Sequence, residues 1–107
     1  MPFDGAAIDP PVIQALWRGR KNLEQGWCQG AAITRDGVCM TAAVHAALQD
    51  VPDYVTYKKA YMLLLRAVKE TGFSAGGLAE FNDTPGRTKD EVLAVYDRAV
   101  ELAFVAA

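Results

Sequence analysis

At 107 residues and with about half of them apolar, the chain is one domain in size and can bury a core without disulfides or a structural metal. A net charge of −2 argues against a nucleic-acid binder driven by phosphate neutralisation, and the cations are dispersed: Arg18, Arg20 and Lys21 in one segment, Lys58, Lys59, Arg66 and Lys69 in another. No apolar run approaches the roughly 20 residues a membrane span needs, and Met1-Pro2-Phe3-Asp4-Gly5 lacks the charged flank and apolar stretch of a signal peptide. Two cysteines outside a secretory context fit reduced thiols, so a cytoplasmic location is expected.

Residues 1–9, punctuated by Pro, Gly and Asp, are expected to form an N-terminal arm on the surface, anchored by Phe3 and Ile8. Asp9-Pro10-Pro11 then reads as a helix start, because Asp accepts backbone N–H bonds at an N-cap and Pro is tolerated in a first turn. Val12, Ile13, Leu16, Trp17 and Leu23 share one helical face and are expected inward. Gly26 is placed to close this helix as a left-handed cap.

From Trp27 to Met40 the period changes. Thr34-Arg35-Asp36-Gly37 is a turn signature, so a short β-hairpin is expected near residues 27–40. Thr41 is expected to cap a second helix running from Ala42 to about Gln49, whose small residues suit a central position. Tyr54, Tyr57, Tyr61, Leu64, Leu65 and Val68 recur at helical spacing, with Lys58, Lys59, Arg66 and Lys69 facing water and Gly72 ending the helix. Gly76-Gly77 marks an elbow before a short turn from Leu78 to Phe81. Thr88-Lys89-Asp90-Glu91 is a capping box, and Val92, Val95, Tyr96, Ala99, Leu102 and Ala103 form the inner face of a last helix. The pattern predicts a mainly α fold: about four helices around one short hairpin, as a single compact domain over residues 10–107.

The densest chemistry lies in Phe81-Asn82-Asp83-Thr84-Pro85-Gly86-Arg87-Thr88. Asn, Asp and Thr bond nearby backbone in turns, and Pro85-Gly86 is the preferred centre of a type II turn. Asp83 is the nearest carboxylate to Arg87, which suggests a local bidentate pair. One reading makes this loop a lock that holds the last helix to the core. The other makes it a ligand-contacting loop, with Asn82 and Asp83 as acceptors and Arg87 as an anion clamp.

These residues carry a resemblance. Trp27-Cys28-Gln29-Gly30-Ala31, the Arg35-Asp36-Gly37-Val38-Cys39 turn, the small-residue helix after it and the Asn82-Asp83-Thr84-Pro85-Gly86-Arg87-Thr88 loop resemble a family of small bacterial and phage proteins of unknown function, common in actinobacteria. That family typically has Trp where this chain has Phe81, and a small residue and Gly where it has Met40-Thr41. The resemblance covers most of the chain and implies a fold and a bacterial or phage origin. It supplies no activity.

Cys39, just before the second helix, is the candidate nucleophile, since amides at a helix N-terminus favour a thiolate. The only histidine, His45, lies six residues on, nearly opposite on a helix, and is poorly placed to pair with it. In a hairpin centred on Arg35-Asp36, Cys39 faces about Ala32, too far from Cys28 for a disulfide. Two cysteines and one histidine without close ligand spacing argue against a metal site, and no glycine-rich phosphate loop is present; no cofactor is expected.

Three functions remain from the sequence. The first is a small non-catalytic binding or regulatory module acting on a protein partner or small ligand through Trp27, Gln29, Asn82, Asp83 and Arg87. The second is a cysteine-dependent hydrolase or transferase using Cys39, with Gln29 as oxyanion donor and Asp83 as orienting acid. The third is a self-assembling subunit using Tyr and Leu residues of the third helix. Oligomeric state stays open.

Overall fold

A computed structural model describes residues 10–48 and 54–105. The expected arm over residues 1–9, including Asp9, lies outside the described residues, as does Gln49. The elements in order are α1 (Pro10–Gln25), β1 (Ile33–Thr34), β2 (Gly37–Val38), α2 (Met40–Ala46), α3 (Tyr54–Glu70), α4 (Leu78–Asn82) and α5 (Lys89–Val105). The fold is mainly α with one antiparallel hairpin. The described residues hold five helices rather than about four, because the expected turn at 78–81 closes into the short α4. Glu80 Oε1 accepts the Gly77 N–H at 2.7 Å and starts that helix. No described helix is long and apolar enough to cross a membrane.

Helix α1 packs against α2, α3 and α5, and α3 packs against α5. Val12, Leu16 and Leu23 of α1 meet Val44 of α2, Leu64 and Val68 of α3, and Val92, Tyr96 and Leu102 of α5 in one buried cluster. Gly19 lets α1 close on this centre: a Cβ there would lie 2.8 Å from the Tyr96 ring and 3.2 Å from Val44 Cα. Arg20 bonds Asp97 at 2.6 Å, and Lys89 Nζ donates to the Glu24 carbonyl at 2.7 Å, so α1 and α5 run antiparallel. Asp97 raises the Arg20 pKa above its ordinary value.

Two expected core positions are reversed. Trp17 is 62% exposed, because Leu16 and Ala15 take the inward direction and the next residue is turned about 100° away. Tyr54 is 74% exposed, while Thr56, Ala60 and Ala67 supply the inner face of α3 with Leu64 and Val68.

The hairpin is shorter than its sequence suggests, two residues a strand, with Ile33 opposite Val38 and Thr34 opposite Gly37. Residues 26–28 run along its other edge: Val38 N–H donates to the Gly26 carbonyl, and Cys28 N–H to the Val38 carbonyl. This explains Gly26. It is not a left-handed cap, since its φ is not positive; a Cβ there would sit 2.4 Å from the Asp36 carbonyl oxygen.

The cap of α2 also differs. Cys39, not Thr41, occupies the N-cap, and its Sγ accepts the Ala42 N–H at 3.4 Å. The helix therefore begins at Met40, whose side chain is wholly buried. At the other end of the chain the capping box forms as expected. Thr88 N–H donates to Glu91 Oε1 at 2.8 Å, and Glu91 N–H donates back to Thr88 Oγ1 at 3.2 Å.

Candidate functional site

The bend between α4 and α5 docks on the hairpin through one side chain. Asn82 closes α4 and is fully buried. An amide can accept two hydrogen bonds and donate two, and Asn82 makes all four. Its Oδ1 accepts from Trp27 Nε1–H at 2.7 Å and from Met40 N–H at 3.0 Å. Its Nδ2 donates to the Cys28 carbonyl at 3.0 Å and to Asp83 Oδ1 at 2.9 Å. One residue thus ties together the segment before the hairpin, the first turn of α2 and its own loop.

The neighbours repeat the connection. Gln29 Nε2 donates to the carbonyls of Asn82 and Thr84, at 2.9 and 3.0 Å. Asp83 Oδ1 accepts the Gly30 N–H at 2.9 Å. Thr84 Oγ1 donates to the Glu80 carbonyl, and Arg87 N–H donates to the Thr84 carbonyl at 3.0 Å across the Pro85-Gly86 turn. Gly86 there has φ +84°, as a type II turn requires at its third position.

Four of the five candidate binding residues, Trp27, Gln29, Asn82 and Asp83, therefore converge, and they do so on one another. Arg87 turns away. The expected Asp83–Arg87 pair gives way to a different set of contacts: Arg87 Nε donates to the Phe81 carbonyl at 2.9 Å, its guanidinium lies 3.6 Å from the centre of the Phe81 ring, and Glu91 is 3.5 Å distant. With the bend folded onto the hairpin, Asp83 faces Gly30, and Arg87 is left to cover Phe81 from the opposite side. Phe81 is buried and meets Phe73 edge to face at 5.4 Å.

Arg87 thereby lines a cavity of about 560 Å³ between α3, α4 and α5, which it shares with Glu70, Thr71, Phe73, Phe81, Glu91 and Arg98 and with the small apolar floor of Ala67, Ala94 and Val95. Arg98 grips Glu70 with two nitrogens, at 2.6 and 3.4 Å, and holds the Glu70 carboxyl below its ordinary pKa. The N–H of Thr88, with Arg87 adding a smaller contribution, lowers the pKa of Glu91 likewise. Sequence reasoning missed this cavity because Phe73, Arg98 and Glu70 carry no local motif. Only the spacing of Glu70 and Arg98 on the polar edges of two neighbouring helices hints at it.

Cys39 is partly buried and committed to capping α2, and its N–H donates to the Ala32 carbonyl at 2.9 Å, the hairpin position expected from the register. Both cysteines are free thiols. His45 is exposed and stands edge-on to Tyr57 with ring centres 5.6 Å apart. A smaller cavity of about 360 Å³ lies along Trp27, Cys28 and Gln29 beside Thr34 and Asp36.

These features define a small mainly α domain whose last helix is joined to a hairpin by a fully hydrogen-bonded asparagine. The chain belongs to the family of unknown function DUF6197, whose model matches residues 7–102. No solved structure matches it.

Proposed function

We propose that this protein is a small non-catalytic binding module that takes a small ligand or a short protein segment in the cavity between α3, α4 and α5. The observation that carries this reading is Arg87, a guanidinium pinned between the Phe81 ring and Glu91 on the wall of that cavity, with Arg98 on the same wall. The apolar floor suits a flat apolar part of a ligand, and an anionic end would compete with Glu91 and Glu70 for the two arginines that they hold on the same cavity. The bend and hairpin, by contrast, spend their polar groups on each other and act as scaffold.

The rival reading, a cysteine-dependent hydrolase or transferase, would need Gln29 and Asp83 turned toward Cys39. Gln29 donates to the bend carbonyls and Asp83 accepts from Gly30, so neither is poised as oxyanion donor or orienting acid. The test is a 15N-correlation titration with N-acetylphenylalanine and its uncharged amide. The proposal expects shifts at Thr71, Arg87 and Ala94, with the carboxylate form binding more tightly. Absence of localised shifts at about 10 mM probe, or shifts confined to residues 27–38, would contradict it.

A further inference from the structure

Arg87 is the most enclosed charged group of the cavity between α3, α4 and α5. Its side chain is 14% exposed, against 39% for Glu70, 45% for Arg98 and 50% for Glu91. Its Nε is spent on the Phe81 carbonyl, and its guanidinium lies against the Phe81 ring and 5.8 Å from the centre of the Phe73 ring. Among the described residues its terminal nitrogens meet only Glu91 Oε2, 3.5 Å from Nη1, which is long beside a charge-assisted hydrogen bond of about 2.8 Å. Arg98 differs: Nε and Nη2 are on Glu70, and Nη1 is on Glu101. Arg18, Lys21 and Arg35 are exposed and have water around them. No buried side-chain nitrogen or oxygen among the described residues lacks a hydrogen bond, so the terminal N–H groups of Arg87 are not sealed in and open on the cavity.

Glu91 supplies the complementary acceptor. Its Oε1 takes the Thr88 N–H and hydroxyl, at 2.8 and 3.2 Å, while Oε2 has only the long contact with Arg87. A half-used donor and a half-used acceptor thus stand side by side over the buried Ala67 and Val95. A plain anion would draw Arg87 from Glu91 and leave a carboxylate beside its own charge; a plain cation would do the converse. A ligand carrying both charges strands neither.

We infer that the ligand is a free α-amino acid with an apolar side chain. Its carboxylate meets the terminal nitrogens of Arg87, its ammonium meets Glu91 Oε2, and its side chain lies on the apolar floor. The inference rests on the reading of this cavity as a binding site and narrows the ligand. In an α-amino acid the nitrogen and the carboxyl carbon are about 2.5 Å apart, which suits a donor and an acceptor separated by 3.5 Å. A dipeptide spreads the two charges by one more residue, about 3.8 Å, and fits the pair less well. Glu70 and Arg98 neutralise each other on the same cavity and leave its charge balanced.

The experiment follows 15N-correlation spectra of the full chain at pH 7 with three probes: L-phenylalanine, N-acetylphenylalanine with the carboxylate alone, and phenethylamine with the ammonium alone. L-phenylalanine is expected to shift Thr71, Arg87 and Ala94 with a Kd of order 0.1–1 mM, at least about tenfold tighter than either single-charge probe. Glu91→Gln keeps an acceptor for the Thr88 N–H but removes the charge, and should abolish the preference for L-phenylalanine over its N-acetyl form. If N-acetylphenylalanine binds in the cavity as tightly as L-phenylalanine, or the preference survives in Glu91→Gln, the ligand class is overturned while the binding site stands. If no probe shifts cavity residues at about 10 mM, both readings fall.

Discussion

Trp27 Nε1 and Asn82 Oδ1 lie 2.7 Å apart across 55 residues of chain, and Met40 N–H shares the same oxygen at 3.0 Å. Because Asn82 is wholly buried, the Met40 N–H and the Cys28 carbonyl would lose their buried partner without it. Replacing Asn82 with Ala should therefore cost roughly 3 kcal/mol or more, well beyond a typical surface change. Urea unfolding measures this, and a loss below about 1 kcal/mol would show that water substitutes for the amide.

Gly86 faces open space, so only its backbone conformation resists a side chain. Gly86→Val should destabilise by about 1–2 kcal/mol, and Gly86→Asn, which tolerates positive φ, by clearly less. Thermal melts of the two variants separate the effect of conformation from that of size.

Cys39 caps α2, and a hydroxyl caps better than a thiol. Cys39→Ser is expected to leave stability unchanged or slightly higher, whereas Cys39→Ala should lose about 0.5–1 kcal/mol. Equal losses for both in urea would mean that the sulfur acts as buried apolar volume and not as an acceptor.

The Glu91 carboxyl is held below its usual pKa of 4.5, first by the Thr88 N–H. A folded-state pKa below the unfolded one stabilises the fold at neutral pH, and that contribution disappears as pH falls through the lowered value. The parent should thus exceed Glu91→Gln in stability at pH 7, and the difference should shrink as pH falls below the ordinary carboxyl value and through the lowered folded-state one. A difference that persists unchanged at low pH would assign the effect to geometry and not to charge.

The helices were legible because burial imposes a 3.6-residue period, and the Thr88–Glu91 box and the Pro85-Gly86 turn because their chemistry is local. The residues of the joint were also legible as a group, since Trp27, Gln29, Asn82 and Asp83 are residue types suited to turn and backbone contacts. What local pattern does not encode is direction. Asp83 and Arg87 are close enough in sequence to pair, but docking of the bend sends one to Gly30 and the other to Phe81. Trp17 and Tyr54 sit at the edge of an apolar arc, where hydrophobicity alone does not decide between core and solvent. Gly26 is required by a chain crossing ten residues away, which no helix-end rule describes.

The most direct test follows the hydrogens themselves. Native-state exchange of the Trp27 indole N–H and the Met40 amide should show both protected by about 10³-fold or more, opening with one common free energy as denaturant is raised, because both end on the same buried oxygen. If the indole hydrogen exchanges as fast as in free tryptophan while the Met40 amide stays protected, the bend is not fastened to the hairpin.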